Sequence, residues 1–86
     1  MCYYVYVIKS LKTGYYYKGL TNNIDRRLKQ HENGKCQTTS SMLPIKLTYV
    51  EIVKNRLEAR KLEKYLKTGY GREIIKEIED AEVAEW

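Results

Sequence analysis

Apolar and polar positions divide this chain into short blocks of different period. Residues 3–9 and 14–18 are rich in Val, Ile and Tyr, a composition that favours strands. Between them Ser10, Leu11, Lys12 and Thr13 lead to Gly14, so the two blocks predict a β-hairpin. With Lys9 set opposite Gly14, Tyr6 would face Tyr17 directly on one side of the sheet. Further along, Ile24, Arg27, Leu28 and His31 recur at helical spacing. Asn22 suits the N-cap of that helix, Asp25 its first turn, and Gly34 its C-terminal stop. Residues 35–44 are polar and end at Pro44, which predicts a loop. Residues 45–53 predict a third strand with Leu47, Tyr49 and Glu51 on one face. A second helix is expected over 56–67, stopped at Thr68 and Gly69, and a third over 73–80. The order ββαβαα predicts an α/β (α+β) fold, a three-stranded antiparallel sheet flanked by helices.

Both leading helices carry ionisable groups inside an apolar stripe. Arg27 and His31 share or border the stripe of Ile24 and Leu28, and Glu63 sits among Ala59, Leu62 and Leu66. Charges so placed are costly unless they are paired, bound to metal or turned to a cleft. A single such residue reads as a stripe-edge group or a snorkelling cation. Three of them on two helices beside a tyrosine-rich hairpin point to a site.

Composition sharpens this. Six of the nine tyrosines lie in the first 17 residues, and there is no Phe. Every aromatic side chain therefore carries a polar tip, and a buried hydroxyl needs a partner. The net charge is +5, but residues 1–72 hold 15 Lys and Arg against 5 Asp and Glu. Residues 73–86 hold one Lys against six acids. A body this basic suits a polyanion such as nucleic acid. At 86 residues the chain has room for one domain, here taken as 1–80 with an acidic tail at 81–86. The apolar N-terminal run is too short for a membrane span and lacks a signal peptide's basic lead. Cys2 and Cys36 lack metal-ligand spacing and read as free thiols, so a cytoplasmic setting is expected. Two phenols, a guanidinium, an imidazole and a carboxylate together suit phosphodiester cleavage. The carboxylate can hold a hard divalent cation, the guanidinium can grip phosphate, and a phenol of lowered pKa can act as base. One evident carboxylate favours one metal over two.

These residues resemble the GIY-YIG nuclease superfamily, and the chain looks most like its small single-domain members. Tyr4-Val5-Tyr6 stands where the family has Gly-Ile-Tyr, and Tyr17-Lys18-Gly19 where it has Tyr-Ile-Gly. The stretch from Gly19 to His31 resembles the family's second motif, and that from Glu58 to Lys67 the metal-binding one. The chain is similar over nearly its whole length to the domain found in excision-repair and homing endonucleases. The resemblance implies catalytic roles for five residues: Tyr6 as general base or water-positioning group, Tyr17 as its partner at the phosphate, Arg27 as phosphate stabiliser, His31 in proton transfer, and Glu63 as ligand of one Mg²⁺ or Mn²⁺. Lys18, Arg26, Lys67 and Arg72 are expected to contact nucleic acid. Tyr4 and Lys18 depart from the motif at positions without chemistry, and the Asn that many members carry late in the domain is absent. Tyr3, Tyr15 and Tyr16 read as packing or surface aromatics. The expectation is a metal-dependent DNA endonuclease with a role in DNA repair, acting on linear, branched or single-stranded substrate. The alternatives are a non-catalytic nucleic-acid-binding module of the same fold, or a catalytic piece that a homodimer or a targeting partner completes.

Overall fold

The computed structural model describes residues 2–35 and 39–84. Three strands, β1 (Tyr3–Ser10), β2 (Tyr16–Thr21) and β3 (Ile45–Val53), and three helices, α1 (Ile24–Glu32), α2 (Arg56–Leu66) and α3 (Gly69–Ala84), follow in the order ββαβαα. All strand pairs are antiparallel, and the sheet order is β2-β1-β3. The expected α+β fold is therefore present, with the central strand first in the chain. Among the described residues no helix is long and apolar enough to cross a membrane. Cys36 and Trp86 lie outside the described residues, and Cys2 is exposed and free.

Because β1 is central, helices cover both of its faces, and Val5, Tyr6, Val7 and Ile8 are all fully buried. Burial on both sides is what replaces alternation with a continuous apolar run. Val5 and Val7 face α2 and α3, where they pack with Ala59, Leu66 and Ile75, while Leu62 closes in from the side. Truncating Ile75 to Ala should cost about 2–5 kcal/mol, a large share of a small domain's stability. Tyr6, Ile8 and Ser10 point to the other face. There α1 and the segment around a short 3₁₀ turn (Ser40–Met42) cover them, contributing buried His31, Thr39 and Met42.

The hairpin register differs from expectation by two residues. Tyr6 lies opposite Gly19, and Tyr17 opposite Ile8. The turn is longer than expected because Ser10 pairs across to Tyr15, its amide donating to the Tyr15 carbonyl at 2.9 Å. The Ser10 hydroxyl holds this turn. It accepts from the amides of Lys12 (3.2 Å) and Thr13 (3.0 Å) and donates to the Met42 carbonyl at 2.7 Å. Gly14 supplies the positive φ of 79° that ends the loop. A shift of two leaves every side chain on its expected face, so Tyr6 and Tyr17 remain neighbours, now on a diagonal.

Three further boundaries move. Asn23, not Asn22, caps α1, its side chain accepting from the Arg26 amide at 3.1 Å. The C-terminal stop at Gly34 stands: its φ is 72°, its amide donates to His31, and that of Lys35 donates to Gln30, the paired arrangement of a Schellman turn. On β3 a bulge lets Thr48 sit between Leu47, opposite Ile8, and Tyr49, opposite Val7. Leu47 and Tyr49 therefore take opposite faces, contrary to the single face expected, and the Thr48 hydroxyl donates to the Val7 carbonyl at 3.0 Å. Finally α3 starts at Gly69 rather than 73 and runs to Ala84. Thr68 caps it, accepting from the Gly71 amide at 3.2 Å. Gly71 does not break the helix. A Cβ there would strike the backbone of Tyr65 and Leu66 at the end of α2, so it is glycine because the helices meet closely.

Candidate active site

The centre of the site is a buried polar chain on the α1 face of the sheet. The Tyr6 hydroxyl lies 2.8 Å from His31 Nε2, and His31 Nδ1 lies 2.6 Å from Thr39 Oγ1. All three residues are fully buried. Arg27, one helical turn before His31, donates from Nε to the same phenol oxygen at 3.3 Å and from Nη1 to Gln30 Oε1 at 3.2 Å. The spacing Arg27–His31 on α1 thus delivers a cation and an imidazole to one oxygen, as the i, i+4 geometry of a helix allows.

Burial lowers the pKa of His31 below its usual 6.5, and the nearby Arg27 charge lowers it further. A neutral imidazole has one donor and one acceptor nitrogen. Its two ring nitrogens therefore divide one acceptor and one donor role between Tyr6 and Thr39, and the phenol oxygen accepts from Arg27 Nε in either tautomer. Among the described residues every buried side-chain nitrogen or oxygen is hydrogen-bonded, so the polar interior here is fully satisfied.

Tyr17 completes an aromatic trio. Its ring centroid is 6.4 Å from that of Tyr6 and 5.4 Å from that of His31, each pair tilted or edge-on, a favourable arrangement for aromatic pairs. Tyr6 and His31 themselves meet edge-on at 5.6 Å. Gly19 is part of this assembly. A Cβ built on it would lie 2.5 Å from the Tyr6 hydroxyl, so the phenol occupies the space a side chain would need.

Unlike Tyr6, Tyr17 is only half-buried. It lines a cleft of about 390 Å³ with Lys18, Met42, Lys67 and Arg72. Glu63 is not part of the lining of this cleft; it pairs with Lys67, whose Nζ lies 3.8 Å from Glu63 Oε1, one turn along α2. The Glu63 side chain is 23% exposed, a half-shielded carboxylate held by a lysine of the cleft wall. Arg26 lies elsewhere, on the outer side of α1, where it lines an open groove of about 610 Å³ with Lys29 and Lys35.

The structure therefore brings Tyr6, Tyr17, Arg27 and His31 into one cluster, lines the adjoining cleft with Lys18, Lys67 and Arg72, leaves Glu63 outside that lining but paired with Lys67, and sets Arg26 on a different surface. Sequence reasoning missed Thr39, which anchors His31, and Gln30, which anchors Arg27. Thr39 had no signal beyond its hydroxyl within a polar stretch. It also missed Gly19 as a packing partner of Tyr6, and Tyr15 and Tyr16 as walls of the cleft.

The family model of the GIY-YIG catalytic domain matches residues 2–78. The chain is similar to a UPF0213 protein of Bacillus licheniformis, 44% identical over 66 residues, which covers 76% of this chain and 67% of that protein. It is similar also to a UPF0213 protein of Staphylococcus haemolyticus, 33% identical over 79 residues, covering 91% of this chain and 95% of that one. Among solved structures it is similar to the solution NMR structure of a UPF0213 protein of Bacillus halodurans. The two share 28% identity at a TM-score of 0.56, over 91% of this chain and 85% of the other.

Proposed function

This chain belongs to the GIY-YIG family, and from that membership and the geometry of its site we propose that it is a divalent-metal-dependent endonuclease hydrolysing phosphodiester bonds in DNA. The observation that carries this reading is the fully buried Tyr6 phenol, held between the Arg27 guanidinium and the His31 imidazole. Two ionisable groups converging on one buried oxygen are a costly way to build a core. They are a useful way to fix a cation and a proton carrier beside a cleft.

Glu63 fits a single Mg²⁺ or Mn²⁺. It is a hard, half-shielded oxygen donor whose partner Lys67 lines the cleft, and among the described residues no group of three His, Cys, Asp or Glu forms a closed cage. Such an ion keeps most of its waters and takes its remaining ligands from one or two carboxylates and the substrate phosphate. When bound, it would polarise the phosphoryl group and lower the pKa of a coordinated water.

The chain's own residues divide the remaining work. Tyr17 is the phenol that solvent reaches, so orienting the attacking water falls to Tyr17 rather than to buried Tyr6. Tyr6 fixes the positions of Arg27 and of the rings around it. Arg27 supplies the positive charge that stabilises the pentacovalent phosphorane. His31, neutral and anchored by Thr39, hydrogen-bonds the Tyr6 hydroxyl and keeps the phenol oxygen aimed at Arg27. Lys67 shares the Glu63 carboxylate and balances its charge until a cation replaces it.

The test is cleavage of labelled linear duplex, branched and single-stranded DNA with Mg²⁺ or Mn²⁺. Nicking should require the metal, disappear in Glu63→Ala and fall by about 10²–10³-fold in Arg27→Ala. If the wild-type protein cuts none of these substrates with either metal, the reading fails. Salt-sensitive DNA binding that survives Glu63→Ala without any cleavage would instead favour the non-catalytic module.

A further inference from the structure

The cleft beside Tyr17 does not end there. A second space of about 400 Å³, lined by Gly14 and Lys76, shares Tyr15, Tyr16, Lys18 and Arg72 with it. The two form one channel that runs from Tyr17 along the β2 edge towards α3. Its polar walls are Lys18, Lys67, Arg72 and Lys76, and none of the described residues lining either space is acidic. Glu63 approaches only from behind Lys67. Tyr15 presents 63% of its surface to solvent at the channel wall. The Tyr16 ring is flanked by Lys9 Nζ at 5.6 Å and Lys18 Nζ at 6.0 Å, which sets those cations beside an aromatic platform.

Cations in a row with an exposed aromatic face are the two elements of single-strand recognition. The charges track the backbone, and the ring accepts an unstacked base. Paired bases in a duplex present no free face to such a ring, whereas an unpaired strand can splay its bases onto it. We propose that this channel binds an unpaired polynucleotide strand leading away from the cleavage centre, with a base stacked on Tyr15 and phosphates held by Lys18, Lys67, Arg72 and Lys76. The proposal deepens the nuclease reading, on which it rests, by naming its substrate: a single strand or the single-stranded arm of a branched one. Burial first, then the nearby charges of Arg72 and Lys67, lower the Lys18 pKa below 10.5, and this clustering of cations agrees with a site prepared for an anion.

Binding is measured apart from cleavage, by fluorescence anisotropy of wild-type protein in EDTA, so that no turnover occurs. The probes are a labelled oligonucleotide of about 16 nucleotides, as DNA and as RNA, and each annealed to its complement. At least one single strand should bind about 10-fold or more tighter than its duplex. With four phosphate contacts, the log–log salt dependence for the strand should have a slope of about −2.8, and Arg72→Gln should make it shallower by about 0.7. Tyr15→Ala, at a position too exposed to threaten the fold, should weaken strand binding by about 5-fold or more. Duplexes bound as tightly as the strands, or strand binding in Tyr15→Ala within about twofold of wild type, would overturn the proposal. Either result leaves the metal-dependent cleavage assay to judge the nuclease reading separately.

Discussion

The two sides of Tyr17 are built on opposite principles. On one side the Tyr6–His31–Thr39 chain has no exposed surface, every polar atom has a partner, and its one histidine is held neutral. On the other, the channel is open and cationic, and Lys18 is crowded by its neighbours rather than paired with an acid. The first gives up flexibility to obtain geometry. The second gives up stability to obtain attraction for a polyanion. An alteration on the dry side should therefore act on turnover and folding, and one on the wet side on binding.

The hardest test of this division is Gly19→Ala. Any Cβ there collides with the Tyr6 hydroxyl, and the ring is wedged among fully buried neighbours. Overpacking of this kind costs about 1–3 kcal/mol, and a displacement of about 1 Å at a reacting centre costs about 10²-fold in rate. Cleavage should fall by roughly that factor, and thermal unfolding should show the lost stability, while strand binding in EDTA stays within about twofold. Equal losses of binding and turnover would show that the two sides are not separate.

Gly19 also shows which parts of the molecule were legible in the sequence. The three strands and three helices followed from period and turn residues. So did the site on α1, because Arg27 and His31 interrupt a stripe of only two apolar residues. The register did not follow, since the turn length depends on Ser10 reaching Met42, 32 residues away. Tyr6 and Tyr17 lost their direct pairing but kept a common face, because a slip of two residues preserves the face. The stop of α2 at Thr68 and Gly69 was legible, but the start of α3 at Gly69 was not, since local rules cannot show that a glycine such as Gly71 serves a close helix contact inside a helix. Thr39 was illegible for a similar reason: its importance lies wholly in meeting His31 across a loop. The bulge at Thr48, which parts Leu47 from Tyr49, likewise follows from pairing with β1 and not from the composition of β3.

A smaller effect distinguishes the two sides by pH. Because the His31 pKa is lowered on folding, the unfolded chain takes up this proton first as the medium is acidified. The stability contributed by neutral His31 is full above about 6.5 and declines below it, towards the lower folded pKa. Turnover should fall lower on the acid side, at the lowered folded pKa, because an imidazolium has no acceptor nitrogen left for either Tyr6 or Thr39. His31→Gln, which keeps an acceptor without that titration, should flatten the acid side of the stability profile. If the wild-type profile is already flat between pH 7 and 5, His31 is not held neutral. Strand binding should respond instead on the alkaline side, as Lys18 loses its proton below its usual range.

Lys18→Met gives the smallest expected change and separates the two principles by sign. The folded pKa of Lys18 is depressed by burial first, then by Arg72 and Lys67. The folded protein therefore holds the charged form less favourably than the unfolded chain does, and that cost is present at neutral pH, is relieved as pH rises through the lowered folded pKa, and is gone by about 10.5. Lys18 pairs across from Val7 on the face that α2 and α3 cover, where the unbranched methionine side chain can follow the path of the lysine stem. Removing the charge should raise the melting temperature slightly at pH 7 and weaken single-strand binding in the same protein. A residue placed for packing would lose stability on replacement, and one placed for solubility would leave binding unchanged. A gain in stability with a loss of affinity is the signature of a charge retained for what the channel holds. A fall in both would mean that Lys18 belongs with the satisfied groups on the Tyr6 side.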